Sequence, residues 1–149
     1  MRLTIERATE GDAETIALML GEIERYYGGA YAVPDVKQVR HALFGPQPTA
    51  IVLLARDGVQ VVGLASVCFL WPAAGADTSL YLKELYVRET YRLRGVARKL
   101  MIAVHCEARS AGCSRVEWTA DRGNPAAVAL YAALGVEPHE GKIFYRSQM

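Results

Sequence analysis

Apolar residues recur along the chain in two rhythms, and the places where the rhythm changes mark its elements. Leu3-Thr4-Ile5-Glu6-Arg7 alternates apolar and polar side chains and predicts a first strand. Ile16, Leu20, Ile23 and Tyr27 then recur at helical spacing, with Thr9 or Asp12 available as the cap and Gly28-Gly29 as the stop. The opposite face of this helix carries Glu14, Glu22 and Glu24. Pro34-Asp35 opens a second helix with Val36, Val39 and Leu43 on one side, ended by Gly45-Pro46.

Two β-rich runs, Ala50 to Ala55 and Val61 to Trp71, follow, and the Asp57-Gly58 pair between them predicts a hairpin turn. These strands are expected to be central. Pro72 to Thr78 is a loop, and Ser79 to Val87 is the next long strand, with Leu82, Glu84 and Tyr86 expected on one face. Ala97, Leu100, Met101, Val104 and Ala108 form the buried stripe of a helix that Gly112 ends. Arg115 to Ala120 alternates again. Asn124 then caps a helix with Pro125 at its first position and Gly135 at its end. Ile143-Phe144-Tyr145 is expected to return as a last strand.

The predicted order is β-α-α-β-β-β-α-β-α-β, without internal repeats. It describes an α/β (α+β) domain in which helices pack on a mixed, mostly antiparallel sheet. At 149 residues the chain fits one domain, residues 1-149, able to bury roughly two-thirds of its unfolded surface. Composition is 52% hydrophobic with net charge +1, which gives no general attraction to nucleic acid or to a membrane surface. Cys68, Cys106 and Cys113 lack metal or redox spacing, and His41, His105 and His139 lack ligand spacing, so no metal is expected. Met1 to Arg7 has no leader-like apolar stretch and no run reaches membrane-spanning length, so the chain is expected to be cytoplasmic.

One stretch departs from this ordinary picture. Arg88, Arg92, Arg94, Arg98 and Lys99 place five of 17 basic residues within 12 positions, at a junction between strand and helix. Unpaired amides at a helix start, the helix dipole and the close approach allowed by Gly95 together make an anion site there. As a DNA-binding helix, the stretch would need a wider basic surface than net charge +1 supplies. Neither the nucleotide-binding nor the dinucleotide-binding glycine loop is present.

The spacing Arg92-x-x-Gly95-x-Ala97 resembles the acyl-CoA pyrophosphate loop of the GNAT N-acetyltransferase superfamily. The flanking order is similar too: strand Glu84 to Val87 before it, strand Arg115 to Ala120 after its helix, then Asn124 to Tyr131. The small-amine and polyamine acetyltransferases are nearest in pattern. The resemblance implies the GNAT-type fold, acetyl-CoA as cofactor, a small-molecule primary amine attacked in a ternary complex, and a homodimer. It also implies that the strands on either side of the loop run parallel and splay apart, with the pantetheine arm between them.

Residue by residue, the resemblance implies that Leu93, Arg94, Gly95, Val96, Ala97 and Arg98 line the pyrophosphate site with Arg92. Leu85, Tyr86, Val87, Asn124 and Ala127 would lie along the pantetheine arm, with the Leu85 amide facing the thioester oxygen. Tyr131 would donate to the leaving sulfur, since phenol and thiol pKa values lie within about two units; its other reading is as part of the Ala127, Leu130, Leu134 apolar stripe. Glu84 would take or hold the amine's proton, or else is a solvated strand residue. Related polyamine enzymes tend to carry two adjacent acids here, whereas this chain has Lys83-Glu84. Glu22, Glu24, Tyr26 and Tyr27 end the first helix with acidic and aromatic groups that suit a cationic or amino-bearing acceptor, Glu24 and Tyr27 foremost, or else form a solvated face. Two alternatives stay open: a catalytically silent CoA-binding module, and an enzyme that acetylates a protein or peptide amine.

Overall fold

The computed structural model describes residues 1–149 and divides them into two compact units, Met1–Thr119 and Ala120–Met149. The first holds strands β1 (Leu3–Arg7), β2 (Ile51–Asp57), β3 (Gln60–Leu70), β4 (Ser79–Val87) and β5 (Arg115–Trp118). It also holds helices α1 (Ala13–Tyr26), α2 (Val36–Phe44) and α3 (Val96–Ser110). The second unit contains α4 (Pro125–Ala133). No helix is long and apolar enough to cross a membrane.

The five strands pair in chain order, β1-β2-β3-β4-β5, antiparallel except for the parallel β4–β5 pair. β3 is central, as its apolar run predicts. Gly58 turns the β2–β3 hairpin at φ +61°, and the two-residue turn is Gly58-Val59, one position later than the Asp57-Gly58 pair suggests.

Helices cover both sheet faces. On one side α1 and α2 bury Ile16, Met19, Ile23 and Val39 against Val52, Leu54, Leu64 and Tyr86. Gly63, the neighbour of Leu64, faces the other way, where an added Cβ would lie 3.2 Å from Val96 and Leu100 of α3. The missing side chain at Gly63 lets the first turn of α3 settle against the sheet.

Three expectations are corrected. Leu82, Glu84 and Tyr86 do not share a face. Ser66 pairs with Glu84 and Val67 with Leu82, so Lys83 is an extra, bulged residue. Paired residues lie on the same face and sequence neighbours on opposite ones, so Glu84 and Tyr86 turn toward α1 while Leu82 turns toward α3. The strand after α3 ends at Trp118, not Ala120. Ile143-Phe144-Tyr145 forms no strand: β-prone side chains need a ladder for their backbone groups, and here they remain 77%, 66% and 83% exposed.

Candidate active site

β4 and β5 run parallel only over Ser79–Leu82 and Arg115–Trp118. Beyond Leu82 the edge of β4 that β5 covered has no ladder, because β5 ends at Trp118. Which amides face that edge follows from the antiparallel β3–β4 ladder, where alternate residues exchange both hydrogen bonds with their partners. Arg88 N–H donates to the Val62 carbonyl at 2.9 Å, so Glu84 and Tyr86 point their backbone groups at β3. Leu85 and Val87 point theirs at the open edge. The Val87 carbonyl there accepts Arg92 Nε at 2.9 Å, consistent with this phase.

The loop that follows is shaped by two left-handed residues. Gly95, at φ +81°, is the N-cap of α3, and Leu93, at φ +61°, is the one non-glycine residue with positive φ. Leu93 extends its side chain wholly into solvent. A residue with Cβ costs about 1–2 kcal/mol in this conformation, so the turn is held against a local preference. Its neighbours hold it: Arg92 by Val87, and Arg94 by the Tyr91 ring, 5.4 Å beneath its guanidinium. Tyr91 in turn donates its hydroxyl toward Asp57 and Gln60.

Helical bonding in α3 begins with Lys99 N–H donating to the Gly95 carbonyl. The N–H groups of Val96, Ala97 and Arg98 therefore have no partner within the helix. A Cβ built on Gly95 would meet no atom within 4 Å. Outward amides, the helix dipole and the flanking Arg94, Arg98 and Lys99 fit a diphosphate.

Around Glu84 the structure brings together three residues singled out as acceptor-binding. The bulge turns Glu84 toward α1, where Tyr27 donates its hydroxyl to Oε1 at 3.4 Å. Burial raises the Glu84 carboxyl above its ordinary pKa. Lys83, the Tyr27 hydroxyl and the Leu85 amide each pull it back down, while the charge of nearby Glu24 adds to the rise. Glu24 is itself exposed at the end of α1. This arrangement gives a protonatable group beside an open strand edge, and two carboxylates able to receive an ammonium group.

Glu22 and Tyr26 have other employment than the acidic and aromatic end of α1 suggests. The Glu22 carboxylate grips Arg88 at 2.9–3.2 Å and accepts the Tyr86 hydroxyl at 3.4 Å. The Tyr26 ring lies 4.7 Å from the Arg92 guanidinium, which also sits 5.7 Å from the Tyr86 ring. The pattern of residue types held no sign of the contacts that Glu22 and Tyr26 make, which join positions more than sixty residues apart. Gly21 did carry a signal, because a glycine inside a helical pattern marks a close approach. Tyr31 and Val33 pack on it, 3.0–3.2 Å from where its Cβ would be.

Asn124, Ala127 and Tyr131 belong to the second unit. There the Asn124 side chain accepts the Ala127 N–H at 3.2 Å and so caps α4, with Pro125 in the first turn. Ala127, Leu130, Tyr131 and Leu134 are the half-buried positions of this segment.

Comparison with known proteins bears on this geometry. Residues 16–136 match the model of the acetyltransferase (GNAT) family. The chain is 30% identical over 115 residues to an aminoglycoside N(6')-acetyltransferase type 1 of Serratia marcescens, covering 75% of this chain and 78% of the relative. It is 29% identical over 140 residues to a thialysine N-epsilon-acetyltransferase of Sus scrofa, covering 88% and 82%. Among solved structures, an integron cassette protein from the mobile metagenome of V. cholerae superposes with TM-score 0.86 at 26% identity, covering 100% of this chain and 94% of that one.

Proposed function

The chain belongs to the acetyltransferase (GNAT) family and is an N-acetyltransferase, and we propose on that premise that it moves an acetyl group from acetyl-CoA to a primary amine of a small cationic molecule, by direct attack in a ternary complex. The observation that carries this reading is the joining of two features. One is an anion-accepting loop, Arg92 to Lys99, at the start of α3; the other is the open β4 edge carrying the Leu85 and Val87 amides. The two are separated by only a short stretch of chain, as a ligand with a diphosphate and a long amide-bearing arm requires.

Acetyl-CoA, when bound, supplies an acetyl group activated as a thioester. The chain's own groups do the rest. Val96, Ala97 and Arg98 present N–H donors to the diphosphate, and Arg94, Arg98 and Lys99 add positive charge. The Val87 backbone holds an amide of the pantetheine arm. The Leu85 N–H, which helps to stabilise the Glu84 carboxylate in the free chain, donates in the complex to the thioester oxygen, where negative charge develops during attack.

An alkylammonium acceptor, with a solution pKa of roughly 10, must lose a proton before its nitrogen can attack. Glu84 receives that proton, directly or through one water, and its raised pKa improves the match to the task. Tyr131 donates its phenolic proton to the leaving sulfur and regains one from solvent. Glu24 and Tyr27 hold the rest of the acceptor, and the two carboxylates favour one bearing more than one ammonium group. The aminoglycoside and thialysine relatives are named for amines of that general kind.

The test is an assay of free thiol release from acetyl-CoA with a panel of lysine analogues, diamines, polyamines, aminoglycosides and a peptide N-terminus. Turnover with small polyamino compounds is expected. Turnover with the peptide alone would replace the acceptor class, and no acetyl-CoA binding at all would remove the enzyme reading.

A further inference from the structure

We infer that Tyr26 is a positioning residue that ties the cofactor loop to the acceptor wall, its ring seating the Arg92 guanidinium so that the loop's first residue and the last turn of α1 hold each other in place. The inference rests on the acetyltransferase reading for what the two sides do, and on geometry alone for the tie itself.

Arg92 is held on several sides. Its Nε donates to the Val87 carbonyl at the end of β4, and its own N–H donates to the Glu89 carbonyl at 3.3 Å. Its guanidinium carbon lies 4.7 Å from the Tyr26 ring centroid and 5.7 Å from that of Tyr86, within the range of cation–π attraction. The two rings are themselves inclined at 67° with centroids 6.2 Å apart. Tyr86 is fixed in turn by donating its hydroxyl to Glu22, whose two carboxylate oxygens both accept hydrogen bonds from the Arg88 guanidinium. An aromatic seat on α1 thus meets a cation from the loop, beside a partly buried ion pair.

The consequence on the loop side is at Leu93. That residue follows Arg92 directly and takes the left-handed backbone that a leucine disfavours, so Arg92 has to be fixed for the turn to keep its shape. On the other side, Tyr27 is the next residue after Tyr26. Their rings meet edge to face at 5.2 Å, and Tyr27 reaches Glu84. A displaced Tyr26 would carry Tyr27 with it, since Gly28 at φ +90° ends the helix immediately beyond. The Tyr26 hydroxyl plays no part in this, so the face of the ring should suffice.

The prediction is tested on the full chain with Tyr26→Phe, Tyr26→Leu, Arg92→Gln and the Tyr26→Leu/Arg92→Gln double variant. Tyr26 is 44% exposed, so each variant is expected to fold, with circular dichroism as the check. Calorimetry with CoA and steady-state kinetics with an accepted amine are then compared. Tyr26→Leu is expected to weaken CoA binding about five-fold and raise the amine KM by a similar factor, with kcat changed less than about two-fold. Tyr26→Phe restores both, and the double variant binds CoA no more weakly than Arg92→Gln alone. Hydrogen exchange without ligand gives an independent arm: amides 92–98 should exchange faster in Tyr26→Leu and not in Tyr26→Phe. Unchanged exchange in Tyr26→Leu, multiplying effects in the double variant, or failure of phenylalanine to rescue would overturn the inference. If the parent chain bound no CoA, the enzyme reading would fall while the exchange experiment still decided the tie.

Discussion

Tyr27, the residue just past the end of α1, donates its hydroxyl to Glu84, which the β4 bulge turns toward that helix, at 3.4 Å. This contact opposes burial: burial raises the Glu84 pKa, and Tyr27 stabilises the carboxylate form and lowers it. If Glu84 must be ionised to accept the amine's proton, kcat/KM should fall as pH drops through a pKa above the ordinary carboxylate range. Tyr27→Phe removes a lowering influence, so the acid limb should move to higher pH. Glu84→Gln should abolish that limb and reduce the rate by about 100-fold, within the usual range for a general base. A pH–rate profile of the three proteins decides the matter, and an unmoved limb in Glu84→Gln would return the role of base to water.

Stability should change with pH in the same region. The folded Glu84 binds its proton more tightly than the unfolded chain does, so its contribution is fully present below the unfolded pKa. That contribution is lost as pH rises through the folded value. Denaturant melts of parent and Glu84→Gln should therefore diverge as pH rises through this window, the parent falling relative to the variant.

The starts of α3 and α4 were legible because local rules write them. Gly95 lies where a left-handed N-cap is needed, Asn124-Pro125 where a helix begins, and Leu100, Met101 and Val104 keep a single helical stripe. The bulge was not legible. Leu82, Glu84 and Tyr86 alternate as a regular strand would, and only the pairing of Ser66 and Val67 across the sheet shows that Lys83 is skipped. Glu22 and Tyr26 were misread for a related reason. A carboxylate and a ring at a helix end suit a cationic ligand, and here the cations are Arg88 and Arg92 of the same chain. Ile143 to Tyr145 had β propensity, but propensity supplies no pairing partner.

Gly95 separates backbone strain from ligand fit. Its φ of +81° penalises any side chain, while a Cβ there meets open space. Gly95→Ala should cost about 1–2 kcal/mol in denaturant melts, the usual penalty for the left-handed region. Gly95→Asp should cost a similar amount yet abolish the rise in melting temperature that acetyl-CoA gives the parent chain, because it places a negative charge against the diphosphate. An equal thermal shift in Gly95→Asp would move the diphosphate away from this loop.

Tyr131→Phe tests proton donation to the sulfur. Removing the hydroxyl while keeping the ring should lower kcat by about 10- to 100-fold, toward the low end of acid catalysis. CoA affinity measured by calorimetry should be nearly unchanged. Equal turnover would leave Tyr131 as a member of the apolar stripe of α4.

Gly21 offers a way to move the acceptor wall without touching the cofactor loop. Tyr31 and Val33, from the segment between α1 and α2, lie against Gly21 so closely that an alanine methyl would stand 3.0–3.2 Å from them. Both neighbours are side chains on a connecting segment, so that segment gives way rather than the helix. Overpacking costs about 1–3 kcal/mol, and alanine recovers about 0.8–1 kcal/mol of helix propensity over glycine. The net loss in Gly21→Ala should thus be about 1 kcal/mol, too small to unfold the chain. Displacing Tyr31 also disturbs its contact with the Arg25 guanidinium, 5.1 Å from the ring, next to Glu24 in sequence. The amine KM should therefore rise by about three-fold or more while CoA affinity stays constant. A KM unchanged across the amine panel would show that the segment after α1 takes no part in holding the acceptor.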